Sequence, residues 1–478
     1  MRPRPREAQR RWLCAANLGE LEVTARALPT DPVAACARLH GRRGRVLLHS
    51  ARDDDALGAW SFVAAEPHDT LIVRGRSIVR LDAAGRPRQR TSGDPIAAIS
   101  RFLDEHGASL QAAAPGAPAP RVLGYLGYDL GRSIERLGAG PALGDDCPDA
   151  WLGAYGAVAR WGADGPTLCG EPTACQRLGE LLQGIERPSL PPSLGPLTAD
   201  DSADHHLARV ERILEYLGAG DVYQVNLARR HVARVRMPGD ALALYRALAQ
   251  TSPAPYGGLL EADGVSLISS SPERFLHIDG EHVETRPIKG TRPRVDDEVQ
   301  NGRAAAELVA SVKDTAEHLM IVDLERSDLG RIAQLGSVTV EELGYVVGFS
   351  TVLHRVSRVR ARLAPGTDHT ALLRATFPGG SITGAPKVRA MQIIDELEPA
   401  RRGPYCGALG YFGPGQLDLA IAIRTGVLTA SELRVHVGGG IVADSDPRAE
   451  LAETEDKLAG WRRALARLEA ELPSSSRS

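Results

Sequence analysis

A mixed α/β fold of the α+β kind is what this chain predicts, on three observations. Short runs rich in β-branched residues and leucine, such as Thr70-Leu71-Ile72-Val73 and Ser77-Ile78-Val79-Arg80-Leu81, stand between turn-forming breaks, as strands do. Longer stretches with apolar residues three and four apart, such as 203–217, read as helices. The length, 478 residues, allows one large core or two to three ordinary domains.

Residues 1–10 predict a flexible arm and 11–186 a first folded region. Within it, Arg45-Val46-Leu47-Leu48-His49-Ser50 and Ser61-Phe62-Val63-Ala64-Ala65 read as strands, and the two runs above as a hairpin. A helix is expected over 95–106 and a loop over 112–120. Val122-Leu123-Gly124-Tyr125-Leu126-Gly127-Tyr128 reads as a glycine-rich strand where backbones approach closely. A strand over 154–160 and a helix over 176–186 follow. Residues 187–200 hold four prolines and no periodicity, which predicts a linker.

The second region, 201–472, is expected to form helices over 203–217, 241–250, 300–326 and 386–397. Pro386 falls near the first turn of the last of these, where a missing N–H costs little. Strands are expected over 222–232, 264–270 and 433–437, the last broken by Gly438-Gly439-Gly440. A final helix opens at Pro447 behind a Ser445 or Asp446 cap and runs to about 472. Residues 473–478 form a tail.

Composition excludes several classes. Net charge is −3 and the basic residues form no long run, which argues against nucleic acid as a partner. No stretch approaches the ~18 apolar residues of a membrane span. No signal-peptide pattern follows the N-terminus, so a cytoplasmic protein is expected. The six cysteines (Cys14, Cys36, Cys147, Cys169, Cys175, Cys406) form no Cys-x-x-Cys pair, so neither a zinc site nor a disulfide framework is indicated.

The lysines carry the chemical signal. Of 57 basic residues only four are lysine: Lys289, Lys313, Lys387 and Lys457. A chain so biased towards arginine marks, with each lysine, a position where the two are not interchangeable. Lysine can lose its proton and become a nucleophile; arginine stays charged. Lys289 sits in Glu284-Thr285-Arg286-Pro287-Ile288-Lys289-Gly290-Thr291-Arg292-Pro293-Arg294.

Asp314 and Glu317 are three apart and share a helix face, as do Glu450 and Glu453, with Lys457 one turn beyond. These are either solvated faces or, if they oppose each other, a carboxylate cluster suited to Mg2+. Gly379-Gly380-Ser381-Ile382-Thr383-Gly384-Ala385-Pro386-Lys387 is not a P-loop, because Ala385 and Pro386 stand where Lys-Ser or Lys-Thr should follow Gly384. It offers backbone N–H groups for an anion or is simply a tight turn, and the same holds for Gly438-Gly439-Gly440. Arg424, alone in an apolar run, needs an anionic partner, either a ligand carboxylate or a structural Asp or Glu. Together these suggest a small dianionic substrate, a magnesium ion and a nucleophilic lysine near a possible acid, Glu273.

At this point the chain resembles a known family, the chorismate-utilising enzymes. The resemblance is strong over about 203–461 and weaker over 15–160. Its carriers are Tyr223-Gln224-Val225-Asn226-Leu227, Ser271-Pro272-Glu273-Arg274-Phe275, Pro287-Ile288-Lys289-Gly290-Thr291, Lys313-Asp314 with Glu317-His318-Leu319-Met320-Ile321-Val322-Asp323-Leu324, the turn from Gly379 to Lys387, and Gly438 to Glu453. Gly127-Tyr128-Asp129-Leu130 adds a weaker match. Ser327 departs from the asparagine usual there, a matter of packing.

The resemblance implies a body of two packed antiparallel β-sheets surrounded by helices. The first region is then anthranilate-synthase-component-I-like and woven into the chorismate-binding second region. Within the family, anthranilate synthases carry alanine where Lys289 stands and aminodeoxychorismate synthases carry lysine. Gln224 points the same way: isochorismate and salicylate synthases place a water-activating lysine there, and a neutral amide is no base. The implied reaction replaces the C4 hydroxyl of chorismate by an amine, giving 4-amino-4-deoxychorismate for para-aminobenzoate and folate synthesis. Lys289 and Glu273 would be catalytic, as nucleophile and acid. Glu317 and Glu453 would hold Mg2+, with Glu450 and Asp314 nearby or through water. Arg424, Lys457, Gln224, His354, Thr383, Gly384, Tyr411, Gly438, Gly439 and Gly440 would bind substrate.

The chain has no Gly-x-Cys-x-Gly nucleophile turn, so ammonia must come from solution or from a glutamine amidotransferase subunit in a heterodimer. Leu47-Leu48-His49-Ser50 resembles an effector loop with His49 in place of glutamate. Leu47, Leu48 and Ser50 then mark a tryptophan pocket or a plain buried strand. Anthranilate synthase component I, a non-catalytic chorismate- or tryptophan-binding protein, and a structural scaffold are the alternatives.

Overall fold

The computed structural model describes residues 28–51, 59–114, 116–138, 140–141, 147–186, 190–348 and 352–471. The expected arm at 1–10, the tail at 473–478 and Cys14 lie outside the described residues. Every strand pair is antiparallel, and the strands form two twelve-stranded sheets.

In the first sheet Gln224–Met237 pairs with Glu432–Ile441 over ten register positions. The sheet continues through Thr425–Leu428, Val265–Ser271 and Tyr256–Ala262 to Val46–His49, Ser61–Ala64, Ala157–Gly162 and Gly165–Gly170. The second sheet runs from Ile288–Pro293 and Val352–Arg362 through His282–Thr285, Arg274–Asp279, Gln416–Ile421 and Ala408–Gly413. It ends on Val122–Leu126, Ala150–Ala154 and the strands of residues 69–92. Strands from both halves of the chain are thus interleaved in each sheet.

The two sheets meet face to face. Val46, Phe62, Val158, Leu260 and Leu267 of the first pack with Leu123, Tyr125, Trp151 and Leu409 of the second in one buried cluster. Helices cover the outer faces. Pro32–Arg38, Pro172–Gln183, Ala241–Thr251 and Pro447–Glu471 lie over the first sheet. Pro95–Glu105 and His369–Thr376 lie over the second, and Lys387–Leu397 packs on Gln224–Met237 at the end of the first. Each outer helix turns a buried apolar stripe to its sheet, which is the main stabilising term in such a layered body.

Local chemistry accounts for most element ends. Asp94 caps Pro95–Glu105, its side chain accepting from the N–H of Ile96 at 2.9 Å, with Pro95 in the first turn. Asp446 accepts from the N–H of Ala449 at 2.8 Å and starts the last helix, one of the two caps expected. Gly124 bears out a close approach: a Cβ there would lie 2.1 Å from the carbonyl oxygen of Trp151.

Four expectations are corrected. The strand expected over 154–160 is two strands in different sheets, Ala150–Ala154 and Ala157–Gly162, because the chain crosses between sheets at Tyr155-Gly156. The helix expected over 300–326 is two, Glu298–Ala310 and Val312–Gly330. Ser311 ends the first and caps the second, its hydroxyl accepting from the N–H of Asp314. Gly438-Gly439-Gly440 does not break its strand, which continues to Ile441 because the partner strand keeps pairing with all three glycines. In the expected linker, Ser193–Leu194 and Thr198–Ala199 pair with Gln224–Met237, so this stretch runs along a sheet edge.

Cys36, Cys147, Cys169, Cys175 and Cys406 are free thiols. No helix among the described residues is long and apolar enough to cross a membrane.

Candidate active site

One end of the first sheet, the helix Val312–Gly330 and the turn at 379–385 bring the motif residues together. Asn226 faces Gly440 in the sheet, and Gln224 and Val225 pair on the other side with Ala385 and Gly384. A Cβ at Gly440 would lie 3.0 Å from Nε2 of Gln224, so the glycine lets that side chain lie flat against the strand. Gln224 is fully buried, and neither end of its amide has a hydrogen-bond partner among the described residues. A buried amide left unpaired is costly, so this one calls for a water or a ligand as partner.

Lys289 lies in the strand Ile288–Pro293 and donates from Nζ to the carbonyl oxygen of Ser381 at 3.1 Å. Glu273 is buried, and its Oε1 accepts from the N–H of Ile288 at 3.4 Å. Burial lowers the pKa of Lys289, opposed by the Glu273 charge and helped by Lys457. Burial raises that of Glu273 against the pull of Ser381 and Lys289. Both groups are therefore pushed towards their neutral forms. The arginines near Lys289 in sequence do not supply the shift. Arg286 pairs with Glu284, Arg292 with Asp314, and Arg294 with Glu298.

The helices Val312–Gly330 and Pro447–Glu471 do bring carboxylates near one another. Burial, with further push from Asp314 and Glu450, raises the pKa of Glu317 against the pull of Lys289 and Lys313. Burial and Glu453 likewise raise that of Glu450, whose Oε1 accepts from the Ser445 hydroxyl at 2.6 Å. A Cβ at Gly439 would sit 3.2 Å from Glu450 Oε2 and 3.4 Å from Glu453 Oε1, so this strand forms the floor beneath both.

Lysines thread the cluster. Lys457 bonds Glu453 at 2.6 Å and the carbonyl of Gly438 at 2.7 Å, and Lys313 stands 3.9 Å from Glu317. The Lys457 contact holds the Glu453 pKa low despite partial burial. As the side chains stand, no three acidic or histidine side chains among the described residues are gathered tightly enough to hold an ion. Asp314 is drawn aside by Arg292, 2.8 Å away. The donor chemistry, hard carboxylate oxygens, still suits Mg2+.

Arg424 follows the strand Gln416–Ile421 with a left-handed φ of 50°, unusual for a residue with a side chain. It has no hydrogen bond or ion pair from its guanidinium among the described residues. Burial lowers its pKa, and Glu273 opposes that. His354 is buried, with Nδ1 2.9 Å from the Thr291 hydroxyl. Burial, then the neighbouring Arg424 charge, lowers its pKa to about 3. Thr383 is fully buried and bonds to its own turn, the hydroxyl donating to the Gly379 carbonyl at 2.9 Å. Gly384 is held against the backbone of Gln224 with φ 143°.

Tyr411 is placed elsewhere, which corrects its expected role in substrate binding. It stands on the strand Ala408–Gly413, its ring 5.0 Å from that of Phe62, in the wall of a separate cavity of about 420 Å³ between the sheets. Leu48, His49, Trp60, Tyr256, Arg274 and Asp418 also line that cavity. Leu47 is turned away into the outer core, because alternate strand residues face opposite ways. The backbone N–H of Ser50 bonds the Ser61 hydroxyl, and Ser50 is not among the lining residues. Of the expected tryptophan pocket, only Leu48 lines the cavity.

Lys313, marked in the sequence as one of the four lysines, stands beside Glu317. Sequence reading missed the contribution of Ser381, whose carbonyl aims Lys289. It also missed Arg402 and Glu398, a buried pair behind the turn. Their only sequence signal was opposite charge at i, i+4.

A family model described as chorismate binding enzyme matches residues 60–463. The chain belongs to that family. It is 38% identical to aminodeoxychorismate synthase component 1 of Escherichia coli, over 86% of this chain and 91% of that one. It is 41% identical to anthranilate synthase component 1 of Streptomyces coelicolor, over 80% of each. Among solved structures, anthranilate synthase component I of Streptococcus pneumoniae superposes with a TM-score of 0.73 at 27% identity, covering 87% of this chain and 94% of that one. The menaquinone-specific isochorismate synthase of Escherichia coli gives 0.72 at 19% identity, covering 93% and 94%, a likeness of fold.

Proposed function

We propose that the protein is the chorismate-aminating component of an aminodeoxychorismate synthase, supplying 4-amino-4-deoxychorismate for para-aminobenzoate and folate synthesis. The observation that carries this is Lys289, a desolvated amine beside a buried Glu273 whose pKa burial raises. An amine nucleophile must be neutral and an acid must hold a proton, and burial favours both states. Nζ of Lys289 adds to C2 of chorismate and loses a proton. Both ring double bonds shift, from C1–C2 to C1–C6 and from C5–C6 to C4–C5, the C4–O bond breaks, and the oxygen leaves as water with the proton of Glu273. Ammonia then attacks C4 and expels Lys289, so the ring is never aromatised and pyruvate stays attached.

Arg424 has the unpaired charge to take a substrate carboxylate, and the Gln224 amide offers it a donor and an acceptor. His354 and Thr383 support the walls. We assign Glu317, Glu450 and Glu453 to a Mg2+ site, with Asp314 at most acting through water. Bound there, the ion would neutralise the ring carboxylate and polarise the substrate. Ammonia would reach the site from solution or from a glutamine amidotransferase partner, in the cytoplasm. Tryptophan is the proposed occupant of the second cavity, where Trp60, Tyr256 and Tyr411 supply aromatic walls and Arg274 and Asp418 supply charge. Calorimetry with tryptophan tests that, and absence of heat and of retained tryptophan removes it.

The deciding experiment is incubation with chorismate, Mg2+ and ammonium. The expected product has the mass of chorismate with OH replaced by NH2, no pyruvate is released, and EDTA stops turnover. Glutamine should serve only after an amidotransferase subunit is added. The second reading, favoured by the 41% identity to an anthranilate synthase component 1, predicts pyruvate and a fluorescent aromatic product instead.

A further inference from the structure

Behind the turn that carries Ser381 lies a buried ion pair that touches no substrate. Arg402 is 2% exposed and follows the helix Lys387–Leu397, and Glu398 is 5% exposed at that helix's end. Nε of Arg402 donates to Glu398 Oε2 at 2.9 Å and Nη2 to Oε1 at 2.6 Å. The remaining donors reach two backbones at once. Nη1 donates to the carbonyl of Ile382 at 2.9 Å, and Nη2 to the carbonyl of Asn226 at 2.6 Å. Glu398 Oε1 also accepts from the N–H of Ala228 at 2.8 Å. Tyr128 supports the guanidinium from one face, its ring centroid 4.6 Å away.

The two carbonyls held are next to the reacting groups. Ile382 follows Ser381, whose carbonyl accepts from Lys289. Asn226 is two residues from Gln224, on the strand that bears the unpaired amide. The N–H of Asn226 donates to the Thr383 carbonyl at 2.8 Å and that of Tyr223 to the Ala385 carbonyl at 2.7 Å, so backbone bonds join turn and strand on the side where the guanidinium adds its own. A planar fork with several donors at fixed angles holds two carbonyls and a carboxylate together; an ammonium does not.

We infer that Arg402 is a positioning residue: it fixes the turn against the strand, and so sets where the Ser381 carbonyl aims the Lys289 amine relative to the Gln224 amide. This rests on the reading of Lys289 as nucleophile. Misplacing a reacting group by about 1 Å costs on the order of 100-fold in rate. Chorismate is anchored by other groups, so the loss falls on the chemical step.

The test compares wild type with Arg402→Lys and with the pair Arg402→Met and Glu398→Gln, which removes both charges and so leaves no lone buried carboxylate. Adduct formation after mixing with chorismate and Mg2+ is followed by rapid quench and mass spectrometry, and steady-state amination is measured with ammonium. The expected result is a full adduct amplitude formed about 10 to 100 times more slowly, kcat reduced by the same factor and KM within about threefold. A purely structural role predicts a lower melting temperature and a smaller amplitude, with the remaining sites reacting at the wild-type rate. That result overturns the inference, as does a loss confined to KM. If wild type itself forms no adduct, the nucleophile reading fails separately. The fall in kcat per folded protein, at constant KM, then decides the role of Arg402.

Discussion

Glu325 shows how burial sets charge in this protein. It is 7% exposed on the helix Val312–Gly330, and the Thr285 hydroxyl donates to its Oε2 at 2.8 Å. No ion pair to a cation is found for it among the described residues. Burial, then the nearby Glu273 charge, pushes its pKa up to about 8. Unfolded, the same carboxyl titrates near 4.5. Between these values the folded state holds a proton that the unfolded state has lost, so stability from this residue falls as pH rises from 4.5 through 8. Glu325→Gln keeps an acceptor without the titration. It should stabilise the fold by about 2 kcal/mol at pH 7 and by nearly nothing at pH 4, read from denaturation midpoints. Equal stabilisation at both pH values would refute the assignment. Lys289 was legible because lysine is scarce in this chain. That burial, and not a neighbouring arginine, lowers its pKa was not, because those arginines turn to acidic partners that only the fold reveals.

At the scale of elements, the strand Glu432–Ile441 matters most. Three consecutive glycines read as a break. Paired against Gln224–Met237 they instead make a bare strip of backbone on which carboxylates and an amide can rest. Gly439→Ala would press on Glu450 and Glu453 by a few tenths of an ångström, with little cost to the strand. Turnover should fall about tenfold or more while the melting temperature stays close to that of wild type. Full activity in the variant would show that the two carboxylates do not need their present places. The division at Ser311 follows similar logic. Periodicity runs through it, and only the side chain's bond to Asp314 N–H marks a new start.

For the whole molecule, strand and helix content was readable from periodicity. The crossing of the chain between sheets at Tyr155-Gly156 was not, since nothing local distinguishes pairing in one sheet from pairing in the other. The packed body buries His206, His231, His318 and His369, and burial lowers each pKa to about 4. Unfolded, they titrate near 6.5. From pH 6.5 down to 4 the unfolded state binds protons that the folded state refuses, so stability drops as pH falls through that window. Each histidine contributes on the order of 2 kcal/mol, and together they outweigh the opposite trend of Glu325. Urea midpoints should therefore fall steeply between pH 6.5 and 4.5. A flat profile would mean that these rings are protonated in the fold.

The central claim is that Lys289 forms a bond to the substrate. Intact-protein mass spectrometry after mixing with chorismate and Mg2+, without ammonia, tests it most directly. The account predicts an added mass of chorismate less water on the wild-type chain, mapping to Lys289 on digestion, and none on Lys289→Arg. Absence of the adduct, with Lys289→Arg still making aminodeoxychorismate at the normal rate, would contradict it and leave Lys289 as a binding charge only.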